Sequence, residues 1–218
     1  MSAALVSPKP RLRGWFHEIA FFVSIPAGVT LVFLARGAEA RTAAIVYSLS
    51  LSAVFGASAA YHRVNWSSAG LRRMKRLDHS MIFLLIAGSY TPISLLVLHG
   101  AWSIVMLSIV WSGAAAGITL KLVSIDGMHG LSGFLYIALG WLAVFALPQI
   151  IHGVGVAPLV LMVVGGVLYT VGSIVLLCKR PDPRPRTFGY HEVWHSLMTG
   201  AAACHWAMIL LILRAAGS

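Results

Sequence analysis

The sequence predicts an all-α integral membrane protein: a seven-transmembrane helix bundle with its N-terminus cytosolic and its C-terminus outside. Three observations predict it. Of 218 residues, 59% are hydrophobic and only 10% charged, against roughly 25% charged in soluble domains, and the mean hydropathy is +0.86. Stretches almost free of charge, each near the ~20 residues that a helix needs to cross a bilayer, recur along the chain. Two-residue alternation of polar and apolar side chains is absent, so helices rather than a closed barrel must satisfy the backbone in hydrocarbon. A soluble chain of this size buries about 70% of its unfolded surface and still needs a polar exterior, for which this composition has too little material.

The elements follow in order. Lys9, Arg11 and Arg13 precede a first apolar run at 19–35. That run is long, lacks a small-residue cleavage site and is followed by six more, so it is expected to be a retained span, not a signal peptide. Further spans are expected at 42–62, 79–98, 101–120, 129–150, 156–178 and 190–213. The links are short, which leaves one seven-helix domain over 1–218 with a basic tail at 1–15. Small residues at four-residue spacing, Ser52, Gly56 and Ala60 and then Gly113 and Gly117, are expected to bring helices close together. Pro26, Pro92 and Pro148 fall inside spans and predict kinks. KRPDPRPR, before the last span, reads as a stiff basic connection. Cys178 and Cys204 form neither a disulfide framework nor a metal-ligand spacing.

Charge sets the orientation. Thirteen of the sixteen Lys and Arg lie in the N-terminal tail and the even-numbered loops, and only Arg36, Arg41 and Arg214 lie at the other end. The positive-inside rule places the crowded end in the cytosol and predicts a multi-pass protein of the cell membrane. The net charge of +10 does not indicate nucleic acid: the basic residues are split among short loops beside spans, where anionic lipid is the nearer partner. The expected partners are membrane lipids, and the sequence sets no oligomeric state.

Titratable residues in an apolar chain are costly and point to function. His62 ends the second span in GASAAYHR, Asp78 opens the third in RRMKRLDHSMIF, and His191 and His195 begin the last in GYHEVWHSLMTG. All four share the cytosolic depth. His191 and His195, four apart, lie on one helix face and supply half of a tetrahedral zinc site. His62 is the depth-matched third ligand, and Ser58, one turn before it, lies on the same face. Asp78 is either a further ligand or the carboxylate that handles water at such a site; the bland alternative is an interfacial pair with Arg73 or Arg76. HEVWH also matches the H-E-x-x-H pattern in which the glutamate, Glu192, is a general base, although a solvated glutamate at the membrane border is the simpler reading. His17 and Glu18 start the first helix at the same depth and are candidate outer partners. His205 lies about 21 Å further along the last helix than His191 at 1.5 Å per residue, too far to share a metal, and is expected to hydrogen-bond a neighbouring helix. His99 and His152, on the outer side, and His129, in an inner loop, read as solvated or interfacial.

Ser58 and His62 in SAAYH, Asp78 in RLDHSMIFLLIAGSYTPI, and the block from Arg180 to His195 together resemble the PAQR superfamily, specifically its bacterial hemolysin III branch, over nearly the whole chain. The resemblance implies a seven-helix fold with an inside N-terminus and an intramembrane zinc near the cytosolic face. His62, His191 and His195 would be its ligands, Asp78 would hold the water and Ser58 would sit beside the site. It further implies kinship with receptors linked to ceramide amide hydrolysis and with bacterial proteins named for haemolysis and associated with membrane homeostasis. Two departures limit the transfer. The long N-terminal domain of the hormone receptors has no counterpart, and GWFHEIAFF lacks the Asn-Ser and Thr-His pattern of many bacterial relatives. Four readings follow: a zinc-dependent hydrolase of a membrane lipid amide with Asp78 as base; a non-enzymatic membrane-state sensor with structural zinc; a haemolysin-like pore or transporter; and an intramembrane metalloprotease using HEVWH.

Overall fold

The computed structural model describes residues 9–124 and 129–217. The first eight residues of the expected basic tail lie outside the described residues, as do 125–128 and 218. Helices account for the described fold, without a strand; a single antiparallel bridge joins Arg184 and Phe188. They are α1 (Trp15–Leu34), α2 (Ala38–Arg63), α3 (Ser68–Leu96), α4 (Ala101–Val123), α5 (His129–Gly140), a 3₁₀ turn (Leu142–Ala146), α6 (Leu147–Gly153), α7 (Val156–Cys178) and α8 (Tyr190–Ala216). Among the described residues, seven helical stretches are long and apolar enough to cross a membrane, the fifth formed by α5, the turn and α6 together. The chain is a multi-pass membrane protein.

The largest boundary difference from the sequence reading is at the start of α3. α3 begins at Ser68, eleven positions before the expected 79. Arg72, Arg73, Lys75 and Arg76 are helical, and Asp78 lies inside the helix, not at its opening. The physical reason is local: the Ser67 hydroxyl accepts from Gly70 N–H at 3.2 Å and caps the helix, and Lys and Arg are good helix formers that only a hydropathy count excludes. α5 begins at His129, where the span expected over 129–150 starts, so this histidine is helical and not in the inner loop. The fifth span is broken, not merely kinked: Pro148 has no N–H and its ring conflicts with the carbonyl four residues earlier, and the chain passes through the 3₁₀ turn before resuming as α6. Tyr90 from α3 repairs the break, its hydroxyl donating to Gly140 O at 2.9 Å and accepting from Ala143 N–H at 2.8 Å. A break in hydrocarbon needs such partners.

The core is centred on α1, α2, α3 and α8 and extends to α4 and the fifth span through Met106, Val110, Ala114, Leu139 and Ile150. α8 packs against α7, α1, α3 and α2, while α4 packs on α3. Tyr47, Phe83, Leu31, Ile209 and Leu213 are fully buried. Lipid tails are as apolar as these side chains, so close packing holds the helices together here. The small residues do serve close approach: a Cβ on Gly117 would come 2.4 Å from the Phe83 ring, and one on Gly113 2.6 Å from Leu139.

Candidate metal centre

The N-terminal end of α8 meets the C-terminal end of α2 and the N-terminal end of α1. Gly189 caps α8, and Glu192 reaches back to accept from Gly189 N–H at 2.8 Å. That cap sets the first turns of α8, from which His191 and His195 project on one face. α2 delivers His62 to the same place. Its Nε2 lies 3.2 Å from Nε2 of His191, its ring centroid is 5.1 Å from that of His195, and those of His191 and His195 are 4.5 Å apart. One ligand nitrogen from each of the three falls within 4.8 Å of the others, and no second such group of His, Cys, Asp or Glu occurs among the described residues.

The donor set fits a metal ion. A tetrahedral ion with bonds of about 2.0–2.1 Å holds its ligand nitrogens roughly 3.3 Å apart, close to the His62–His191 separation. His195 is 1% exposed and neither of its ring nitrogens has a hydrogen-bond partner. A buried imidazole with nothing to bond is costly, and a cation shared with His62 and His191 would remove that cost. The three-His group can therefore bind a metal.

Ser58 and Asp78 stand beside this group. Ser58 Oγ is 2.8 Å from His17 Nδ1 and also meets the carboxyl of Asp78. Asp78 is 7% exposed and turned inward. Its ion-pair contact among the described residues is the neighbouring His79 Nδ1 at 3.7 Å, so the interfacial pairing with Arg73 or Arg76 is not formed. The Tyr136 hydroxyl donates to His79 O at 2.8 Å and fixes the backbone next to Asp78.

His17, a candidate outer partner by its depth, stacks on His195 with centroids 3.7 Å apart and planes 11° from parallel. It thereby links the Ser58–Asp78 pair to a candidate ligand. A histidine in the first turn of an apolar span, at the depth of the other polar residues, was the available signal; the stacking partner was not readable. Gly14, at the N-cap of α1, has φ +84°, and a Cβ there would lie 2.7 Å from His62 Cβ. Only glycine fits both requirements.

Glu192 corrects an expectation. Instead of being solvated it is fully buried, where it caps α8 and pairs with Arg13. Both oxygens are thus engaged, which removes the basis for treating it as the general base of an H-E-x-x-H peptidase. The segment before α1 is tied over this end of the bundle. Lys9 Nζ donates to His62 O, and the N–H groups of Arg11 and Leu12 donate to Arg186 O and Thr187 O at 3.1 and 3.2 Å. Burial, then the guanidiniums of Arg13 and Arg63, hold the Lys9 ammonium below its ordinary pKa. Glu18 faces the other way and pairs with Arg63 at 2.7 Å. His205 does bond a neighbouring helix, at 3.4 Å from Met162 O.

Fold and centre define a seven-span helical membrane protein with a metal-competent imidazole cluster at the end that carries the N-terminus. The chain belongs to the haemolysin-III related family, within the PAQR group, whose profile matches residues 6–206. It is 30% identical over 197 residues to a hemolysin-3 homolog of Bacillus subtilis (strain 168), covering 89% of each chain. It is 31% identical over 197 residues to hemolysin-3 of Bacillus cereus, covering 89% of this chain and 87% of that one. A human relative, the monocyte to macrophage differentiation factor, is 26% identical over 195 residues, 86% of this chain and 79% of that one.

Proposed function

We propose that this protein is a zinc-dependent hydrolase acting on an amide of a membrane lipid, with its basic, N-terminal end in the cytosol of a cell whose plasma membrane it spans. The observation that carries the reading is the convergence of three imidazoles from two helices, His62 and His195 buried and His191 partly so, with Asp78 and Ser58 beside them. His62, His191 and His195 would hold the ion. Bound there, zinc supplies Lewis-acid polarisation of a carbonyl and lowers the pKa of water toward about 7. The chain's own residues do the rest. The Asp78 carboxyl, inside the bundle, takes a proton from the attacking water and returns it to the departing amine, a role worth typically 10²–10⁴-fold in rate. Ser58 orients that carboxyl, and His17 holds Ser58 on one side and the His195 ring on the other. The test is mass spectrometry of products from a lipid library that includes ceramides, incubated with wild type and Asp78→Ala. Amide cleavage by wild type and its loss in the variant are expected. Equal cleavage by both contradicts the assignment.

A second reading, a non-enzymatic sensor with structural zinc, is favoured by the strap formed by Lys9 to Arg13 across this end of the bundle. Chelator-sensitive thermal stability without any lipid product would select it.

A further inference from the structure

At the end of the bundle opposite the imidazoles, the turn after α1 and the C-terminus of α8 enclose a cleft of about 300 Å³ lined by Phe33, Leu34, Arg36, Leu213, Arg214 and Gly217. Only three basic residues of the sequence fall at this end, and two of them, from opposite ends of the chain, meet here. Arg36 is fixed in place. Its Nη1 donates to Gly217 O at 2.9 Å, and its stem lies against Gly217, where a Cβ would come 3.1 Å from Arg36 Cδ.

A cap on the α8 C-terminus explains Arg36 in part, but that bond uses one of five guanidinium donors. Arg214, in the last turn of α8, complements the same helix end by its charge, which uses none of its donors. Among the described residues, neither guanidinium has a carboxylate within ion-pair distance. Beneath them the walls are apolar: Phe33 is 84% exposed and Leu34 38%, surfaces that face acyl chains in a membrane-spanning protein. Two cationic forks at the level where a span leaves the hydrocarbon, above a greasy wall, match the chemistry of a phosphodiester headgroup on its lipid tails.

We propose that this cleft binds an anionic glycerophospholipid, with Arg36 and Arg214 on the phosphate and Phe33 and Leu34 against the first acyl carbons. The site is independent of the metal centre. Full-length protein is reconstituted in phosphatidylcholine vesicles containing a minor fraction of phosphatidylglycerol, extracted in mild detergent, and its retained lipids counted by native mass spectrometry. Wild type is expected to enrich phosphatidylglycerol about tenfold over the bulk ratio, equivalent to about 1.4 kcal/mol. Arg214→Gln, which leaves the Arg36–Gly217 bond in place, and the Arg36→Gln/Arg214→Gln double variant are expected to return it to the bulk ratio. Retained lipid at the bulk ratio in wild type overturns the proposal, as does undiminished enrichment in both variants. In a further arm, millimolar inorganic phosphate is added before extraction. Retention of phosphatidylglycerol supports a lipid site, and its displacement shows that phosphate alone is read and overturns the assignment to a lipid.

Discussion

The two halves of the bundle are built differently. In α2 and α3, 56% and 61% of the most apolar stretch is buried inside the protein, and in α8 and α1 33% and 28%, whereas in α4 the share is 22% and in the fifth and sixth spans 17%. Every residue of the candidate centre, His17, Ser58, His62, Asp78, His191 and His195, lies on α1, α2, α3 or α8. The loosely packed half contributes Tyr136, which steadies the backbone beside Asp78. Groups that must be held to within fractions of an ångström sit where packing is close, and the half that exposes its side chains, Val160, Val163, Val167 and Leu177 among them, is the one that meets lipid.

This contrast can be broken at several points, in descending order of effect. Asp78→Ala should lower lipid amide turnover by about 10²–10⁴-fold with zinc content unchanged, measured by product release per metal-loaded protein. Variants that lose turnover only through lost zinc would blur the assignment of Asp78 as the proton carrier. Phe83→Ala, which empties the space between α3, Gly117 and the Tyr136 ring, should cost about 3–5 kcal/mol. Thermal unfolding of the detergent-solubilised protein reads this. Gly14→Ala should cost about 1–2 kcal/mol for the left-handed backbone alone. It should also weaken metal retention, because the new methyl meets His62; loss of stability with undiminished zinc affinity would uncouple that glycine from the site. Smallest of all, Leu177→Ala on the lipid face of α7, where the side chain is 83% exposed, should stay within about 0.5 kcal/mol. A large effect there would mean that the outer half is not free.

Much of this was legible in the chain. Charge-free runs marked the spans, and the spacing of His191 and His195 with the depth of His62 marked the cluster, because helical periodicity and hydrophobic length are local properties. The early start of α3 was hidden because four cationic residues look like a loop to a hydropathy count, although their helix propensity and the Ser67 cap say otherwise. Tyr90 bridging the break after Gly140, His17 lying on His195, and Arg13 drawing Glu192 inward all depend on which helices touch. Spacing within one helix carries no information about that. Glu192 is the instructive case: solvation is the simple expectation for a glutamate at a span border, and its burial depends on Arg13, a partner from another segment that spacing within α8 does not reveal.

The claim on which the account rests is that the three imidazoles share one zinc ion. Elemental analysis of the purified protein, beside His62→Ala and the His191→Ala/His195→Ala double variant, tests it most directly. About one zinc per chain in wild type and little in either variant is the predicted result. A metal-free wild-type protein whose stability is indifferent to zinc, to chelator and to all three substitutions would contradict it.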